Sequence, residues 1–425
     1  MAKPPTALSV LPLTSILRSL MTTTVSSSPV LLSPSLAMLS LLAHTTNPLL
    51  NPDRNPLLHY LLKKTFYAQF CAGETAPEVR RTIDALKRIG YSGVILGYAK
   101  EVVLTSAQTS DLASGVLGSE SCIRTEVNPW RQGTMETVLL TSPGDFVALK
   151  FTGAGRQALY ALSQRLPPSE ALANAIDNIC QLAASRGVRL LFDAEQQAVQ
   201  AGIDDWTVAY MRKYNKPGQR TVIYGTYQAY LKATPRVLSE HLAIARKEGF
   251  TLGVKLVRGA YLGSDPRHLI HDTKADTDNA YDGIAEGLLT GKWVAPLRQP
   301  EDGMEFPEVN TMLASHNRDS VVKARRILED NARKRGVVPE VAFAQLQGMA
   351  DEVSCELVAS AVDAQAKVKP MAYKYLVWGS TGECMKYLLR RAQENRDAVQ
   401  RTRSGREAMQ VELVRRVKSW FGLAS

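Results

Sequence analysis

The sequence predicts an α/β fold: a (β/α)8 TIM-like barrel with an N-terminal helical segment and a C-terminal helix. Three observations predict it. Eight short apolar runs recur along the chain, helical stretches separate nearly all of them, and polar residues gather at or near one end of seven successive runs. The runs are GVILGYA, DFVALKFT, VRLLFDAE, TVIYGTYQAY, TLGVKLVRGA, VNTMLASHN, EVAFAQLQGM and MAYKYLVWG. They are nearly continuous in apolar character rather than alternating, so both faces of each strand are covered, as in a parallel sheet under helices. Stretches such as PSEALANAIDNICQLAASRG and TPRVLSEHLAIARKEG carry helical periodicity and end on a glycine stop. Eight such units in about 300 residues match the size of a closed barrel. A doubly wound open sheet is the competing arrangement.

Around this barrel, expected over residues 92–400, three further segments are distinguished by composition. Residues 1–50 read as a flexible leader or a targeting segment. No acidic residue occurs from Met1 to Pro52, and Lys3 and Arg18 are the only fixed positive charges there. Residues 51–91 open on a turn, NPDRNP, and form an N-terminal helical arm. Residues 401–425 read as a basic amphipathic helix ending in Trp420 and Phe421, for which packing on the barrel is preferred to peripheral membrane contact.

Composition narrows the function. The chain of 425 residues carries a net charge of +10, with 45% hydrophobic and 22% charged residues. Its basic residues are spread along the chain without a basic patch interleaved with aromatics, which argues against nucleic acid. Five scattered cysteines, none in a C-x-x-C pair, exclude a disulfide framework and a thiolate zinc site, and suit a reducing intracellular compartment. The spacing of Gly153, Gly155 and Ala158 imitates a dinucleotide fingerprint. No acidic residue closes the following strand at the expected distance, so these glycines read as a tight turn between strand and helix.

Polar residues are costly in an apolar strand, and barrel active sites lie at the C-terminal strand ends. The second run carries Lys150, the third ends in Asp193 and Glu195, and the fourth offers Gln228. The fifth holds Lys255, Arg258 and Tyr261, the sixth ends in His316 and Asn317, the seventh has Gln345 and Gln347, and the eighth has Tyr373 and Tyr375. In the helix after the eighth run, Tyr387, Arg390, Arg391 and Glu394 fall on one face. Paired guanidinium forks suit a carboxylate.

Five of these motifs, FDAEQ, LVRGAYL, ASHN, QLQGM and YLLRRAQEN, in this order and at these spacings, resemble the signature set of proline dehydrogenases. TFYAQFCAGET and TKADTDNAYDG are similar to the fungal mitochondrial branch, and the match runs from about Asn51 to Val417. The resemblance implies FAD as cofactor, lying across the barrel mouth, and oxidation of L-proline to 1-pyrroline-5-carboxylate by hydride transfer to flavin N5. It further implies a quinone electron acceptor and a mitochondrial location. Carried over by motif, Arg390 and Arg391 would bind the substrate carboxylate with Lys150, and Asp193 would orient a cationic partner. Tyr375, Tyr387 and Leu346 would wall the substrate ring. Gln228, Lys255, Gly259, Tyr261 and His316 would line the cofactor, with Lys274 and Glu394 as further contacts. The chain departs from the family where a gating glutamate is expected: Tyr98 stands there, and Glu101 lies three residues on. Another cyclic imino acid as substrate, in a biosynthetic setting, is the alternative within the family. A Schiff-base lyase using Lys150 or Lys255, or a non-catalytic scaffold, is the alternative outside it.

Overall fold

Nine strands form one sheet: β1 (Cys71–Gly73), β2 (Gly93–Tyr98), β3 (Phe146–Leu149), β4 (Arg189–Phe192), β5 (Ile223–Gln228), β6 (Leu252–Val257), β7 (Val309–Ala314), β8 (Val341–Leu346) and β9 (Met371–Trp378). The structure, a computed structural model, describes residues 6–45, 47–99, 120–263, 265–335, 339–363, 368–397 and 399–421. Within these, the side chains of residues 29, 335, 394–397 and 399–403 are not described.

The sheet order is β1-β9-β2-β3-β4-β5-β6-β7-β8, and β9 pairs with β8 as well, so β2 to β9 close into an eight-stranded parallel barrel. All eight strands expected from the sequence are present. The short β1 is an addition to them; it joins the end of β9, with Cys71 opposite Val377. Strands β3, β4 and β5 are buried along their whole length, as expected of strands covered on both faces.

Helices of eight or more residues are α1 (Leu13–Ser27), α2 (Pro29–His44), α3 (Ala76–Ile89), α4 (Asn128–Leu140), α5 (Arg156–Ser163), α6 (Glu170–Ser185), α7 (Gln197–Tyr214), α8 (Thr234–Glu248), α9 (Lys274–Thr290), α10 (Arg318–Arg335), α11 (Asp351–Ala361), α12 (Thr381–Asp397) and α13 (Val399–Trp420). Two compact units are distinguished. One comprises Ile95–Ala344 and Gln365–Pro370; the other comprises Met1–Val94, Gln345–Ala364 and Met371–Ser425.

In the first unit the N-terminal strand ends are held by buried polar side chains with specific partners. Asn215, fully buried after α7, donates to the carbonyls of Ile223 and Thr251 and accepts from the amides of Val222 and Ile223. Arg189 opens β4 with its guanidinium 3.8 Å from the Phe146 ring centroid, donating to Glu340 and to the Gly144 carbonyl, both at 2.8 Å. These contacts offset the cost of burying polar groups.

In the second unit, residues 13–44 form α1 and α2. Leucine and isoleucine at helical spacing drive this. Ile16 is fully buried in a cluster with Leu8, Leu11, Cys355 and Met409, the last of these on α13. The C-terminal helix therefore packs on α1, an arrangement that composition alone does not reveal. The contact has a charged clasp. Glu412 of α13, fully buried, accepts from Thr6, Arg415 and Arg416, while Arg416 also donates to the carbonyls of Ser9 and Leu11 at 3.1 and 2.8 Å. Burial pushes the Glu412 carboxyl up, but the hydrogen bonds from Arg415, Thr6 and Arg416 outweigh it and hold it at about 2. Glu412→Ala is expected to cost about 2–3 kcal/mol. Limited proteolysis should then cut within residues 6–27 of the variant under conditions that spare the parent.

Candidate active site

In the first unit, the C-terminal strand ends carry the polar residues the sequence singled out. Lys255 of β6 and Asp193, directly after β4, form an ion pair at 2.5 Å with both side chains under a tenth exposed. The Asp193 amide donates to the Leu149 carbonyl, fixing the residue against the end of β3. Lys150 follows β3 and is half-buried; its carbonyl accepts from the Trp130 indole at 3.0 Å. Asp193 is thus paired with Lys255. Gln228 ends β5 and is buried, its Oε1 accepting from the Ala260 amide at 3.0 Å. Its Nε2 is buried with no hydrogen-bond partner among the described residues. His316, after β7, is half-buried.

The loop after β6 is built around a close approach. A Cβ on Gly259 would lie 2.4 Å from the Tyr230 ring, so only glycine fits there. Tyr230 in turn hydrogen-bonds Asp265, and the Tyr261 hydroxyl reaches the Ala194 carbonyl at 3.4 Å. Arg258 is committed to Asp278, and Lys274 reaches the same carboxylate at 2.6 Å while its side chain is 76% exposed. Lys274 is therefore an exposed ion-pair partner in this structure.

The glycine pair that imitates a dinucleotide fingerprint is a tight turn, as the sequence suggests. Gly155 has φ of +91°, and a Cβ there would collide with Glu126. Glu126 accepts from the Arg156 amide at 2.6 Å, so the chain's own carboxylate occupies the start of α5. Sequence reading misses the network behind β4. Glu195 takes Thr152 through both its amide and hydroxyl, and the Glu195 amide donates to Gln200, which donates to Asp204. Burial pushes Asp204 up to about 7.

In the second unit, Arg391 of α12 is 8% exposed and lies 4.9 Å from the Tyr387 ring centroid, one turn back on the same face. Tyr387 is buried and Arg390 half-buried; the Glu394 side chain lies outside the described residues. Leu346 ends β8, and the next residue, Gln347, donates its amide to the Tyr375 carbonyl of β9 at 2.9 Å. Lys374, 1% exposed, holds this corner together by donating to Asp351 at 2.7 Å and to the Met349 carbonyl at 3.1 Å. In the first unit, Tyr98 ends β2 with its ring against Gly133, and Glu101 lies outside the described residues.

The model of the family described as Proline dehydrogenase matches residues 79–404, more than half of the chain. This chain belongs to the proline dehydrogenase family. It is an oxidoreductase, and the resemblance seen in its motifs holds across the barrel. The probable mitochondrial proline dehydrogenase of Schizosaccharomyces pombe is 31% identical over 409 residues, covering 85% of this chain and 81% of that protein. The hydroxyproline dehydrogenase of Bos taurus is 29% identical over 392 residues, covering 84% and 82%. Among solved structures, proline utilization A (PutA) from Bdellovibrio bacteriovorus superposes with a TM-score of 0.63 at 17% identity, over 88% of this chain and 38% of that one. That likeness shows the fold alone, and the chain spans little more than a third of that longer protein.

In this family member the helix bearing Tyr387, Arg390 and Arg391 is held at its N-terminus by the N-terminal arm. Glu74 accepts from the Thr381 amide and hydroxyl, both at 2.7 Å, and Asp53 accepts from the Gly382 amide at 2.8 Å. Lys63 bridges Glu74 and Glu78 at 2.6 and 2.8 Å. Carboxylates at a helix N-terminus satisfy its free amides and suit its dipole. No local signal marks them, since partner and helix are about 300 residues apart in the chain.

Burial pushes the Glu74 carboxyl up, and the hydrogen bonds from Lys63 and Thr381 outweigh it, leaving the group below its ordinary range. A depressed carboxylate stabilises the fold fully above its unfolded value, and the contribution is lost as pH falls through the folded one. Glu74→Gln should cost about 1–2 kcal/mol at neutral pH. Melting temperatures taken from about pH 6 to about pH 3 should fall more steeply for the parent than for the variant.

Proposed function

We propose that the protein oxidises L-proline to 1-pyrroline-5-carboxylate, the first step of proline catabolism, with FAD as cofactor and a quinone as the final electron acceptor. The observation that carries this reading is the buried Arg391 guanidinium set over the Tyr387 ring, 4.9 Å from its centroid: a planar fork of the kind that suits a small amino acid's carboxylate. The protein works in the mitochondrion, like the S. pombe and Dictyostelium discoideum relatives whose names carry that location.

The residues at the strand ends fit a flavin. The Nε2 of Gln228 is a buried donor awaiting an acceptor, and leaving such a group unmet costs about 1–3 kcal/mol. An acceptor-rich heterocycle would meet it. Gln228, Lys255, Gly259, Tyr261 and His316 would hold the cofactor. When bound, FAD would accept a hydride at N5.

Every other step falls to the protein's own groups. Arg391, with Arg390 and Lys150, would fix the substrate carboxylate, leaving the ring C–H no freedom to turn away. Tyr375, Tyr387 and Leu346 would exclude water from the ring. Lys255, anchored by Asp193, would supply positive charge where negative charge accumulates. Asp193 is committed to that lysine, so the substrate amine would lose its proton to solvent.

A second reading has a specific observation behind it. Relatives named hydroxyproline dehydrogenase in Bos taurus and Xenopus laevis match this chain over 84% and 85% of its length, so a ring-hydroxylated substrate is the rival. Turnover of both compounds with an artificial electron acceptor decides between them, and faster turnover of hydroxyproline would overturn the proline assignment.

The purified protein should be yellow, with flavin bands that bleach on anaerobic addition of proline; a colourless protein would sink the reading. Arg391→Met should raise KM for proline by roughly a hundredfold while FAD stays bound. Loss of FAD instead would move Arg391 to the cofactor. Lys255→Met should slow flavin reduction by roughly tenfold or more, seen in stopped-flow absorbance.

A further inference from the structure

Lys374, 1% exposed, is the most buried lysine among the described residues, and it is not among the groups assigned above to substrate or cofactor. It lies in β9 between Tyr373 and Tyr375. Successive side chains of a strand point to opposite faces, so Lys374 turns away from the face that Tyr375 uses. On its own face it meets the corner between β8 and α11. Its ammonium has three protons, and three acceptors stand around it: Asp351 Oδ1 at 2.7 Å, the Met349 carbonyl at 3.1 Å and the Leu346 carbonyl at 3.5 Å. All three belong to residues 346–351. The same corner is tied to β9 a second time, where the Gln347 amide donates to the Tyr375 carbonyl at 2.9 Å. Ala350, the last residue before α11, has φ of +50°, a left-handed backbone that a side chain with a Cβ adopts only when its surroundings impose it.

We propose that Lys374 is a positioning residue for the substrate: through this corner it sets Leu346 against Tyr375 and so governs how closely the substrate ring fits. The proposal rests on the proline reading and deepens it, since Leu346 and Tyr375 are two of the residues assigned there to the wall of the ring. Lys374 acts through Leu346 and not by touching the ligand. Stability alone does not account for the lysine. A buried ion pair is often no better for a fold than apolar side chains of the same volume, and methionine has nearly the length of lysine without its charge. What an apolar side chain lacks is direction. Bonds from one ammonium fix two main-chain carbonyls, one of them on Leu346 itself, and a wall residue anchored by its main chain holds its place when the ligand arrives. Wall contacts form on binding and persist to the transition state, so slackening them raises KM more than it lowers kcat. A close wall also rejects a ring with an added hydroxyl, so slackening it narrows the preference for proline over hydroxyproline.

The test uses the flavin-loaded full-length protein and the double substitution Lys374→Met, Asp351→Ala, which removes both charges and leaves neither buried alone. Bound flavin, read from the visible spectrum, and the melting temperature should stay near those of the parent. In dye-linked assays KM for proline should rise by roughly tenfold while kcat stays within about threefold of the parent. The ratio of kcat/KM for proline to that for hydroxyproline should fall by roughly threefold or more. Asp351→Asn keeps the outline and an oxygen for Lys374, so it should fold whatever the double variant does, and raise KM for proline by roughly two- to threefold. An unchanged KM and an unchanged ratio in the double variant overturn the proposal and leave Lys374 a structural residue. So does a fall in kcat with KM unchanged. If the double variant does not fold, an unchanged KM in Asp351→Asn overturns the proposal in its place. A parent that oxidises neither proline nor hydroxyproline sinks the proline reading and this proposal with it; an active parent with unchanged variants sinks this proposal alone.

Discussion

A strand covered on both faces leaves a charged side chain no water, and this constraint governs the whole molecule. Charges buried in the barrel strands are met by groups of opposite sign: Lys255 by Asp193, Lys374 by Asp351, Arg189 by Glu340. The lost hydration is large enough that removing one partner of such a pair is worse than never having had the pair. Pairing also fixes direction. An ammonium gripped by a carboxylate has few rotamers left, and a group held that way is ready to act on a ligand without further ordering.

The same logic applies to the arginines. Arg391 lies over the Tyr387 ring, and Arg258 is paired with Asp278. Glu74 and Asp53 act at a remove: they set the first turn of α12, and farther along that helix come its tyrosine and arginines. The N-terminal arm thus supports the helix that bears Tyr387, Arg390 and Arg391, although its sheet pairing among the described residues is confined to β1 with β9.

Much of this is legible in the amino-acid order. The eight barrel strands are visible because an unbroken apolar run between amphipathic helices buries both its faces only when neighbouring strands and helices enclose it. Lys255, Asp193 and Gln228 stand out because a polar group in such a run is costly without a purpose. What the order conceals is pairing over distance. Asp193 is expected to orient a cation, but nothing local says that it pairs with Lys255. Strand β1 escapes because three residues, Cys71 to Gly73, carry no periodicity. The missing acidic groups of residues 1–50 suggest a flexible leader or a targeting segment, and nothing local shows that Ile16 packs with Met409 of α13, at the other end of the chain.

Asn215 carries one implication for how far this framework tolerates change. A single planar amide there joins the end of the helix before β5 to the residues at which β5 and β6 begin or that just precede them, giving two protons and receiving two. Aspartate has the same outline but no protons to give; leucine has the volume but neither function. Shape and hydrogen-bonding valence are separate demands at this point, and among the twenty side chains only asparagine meets both.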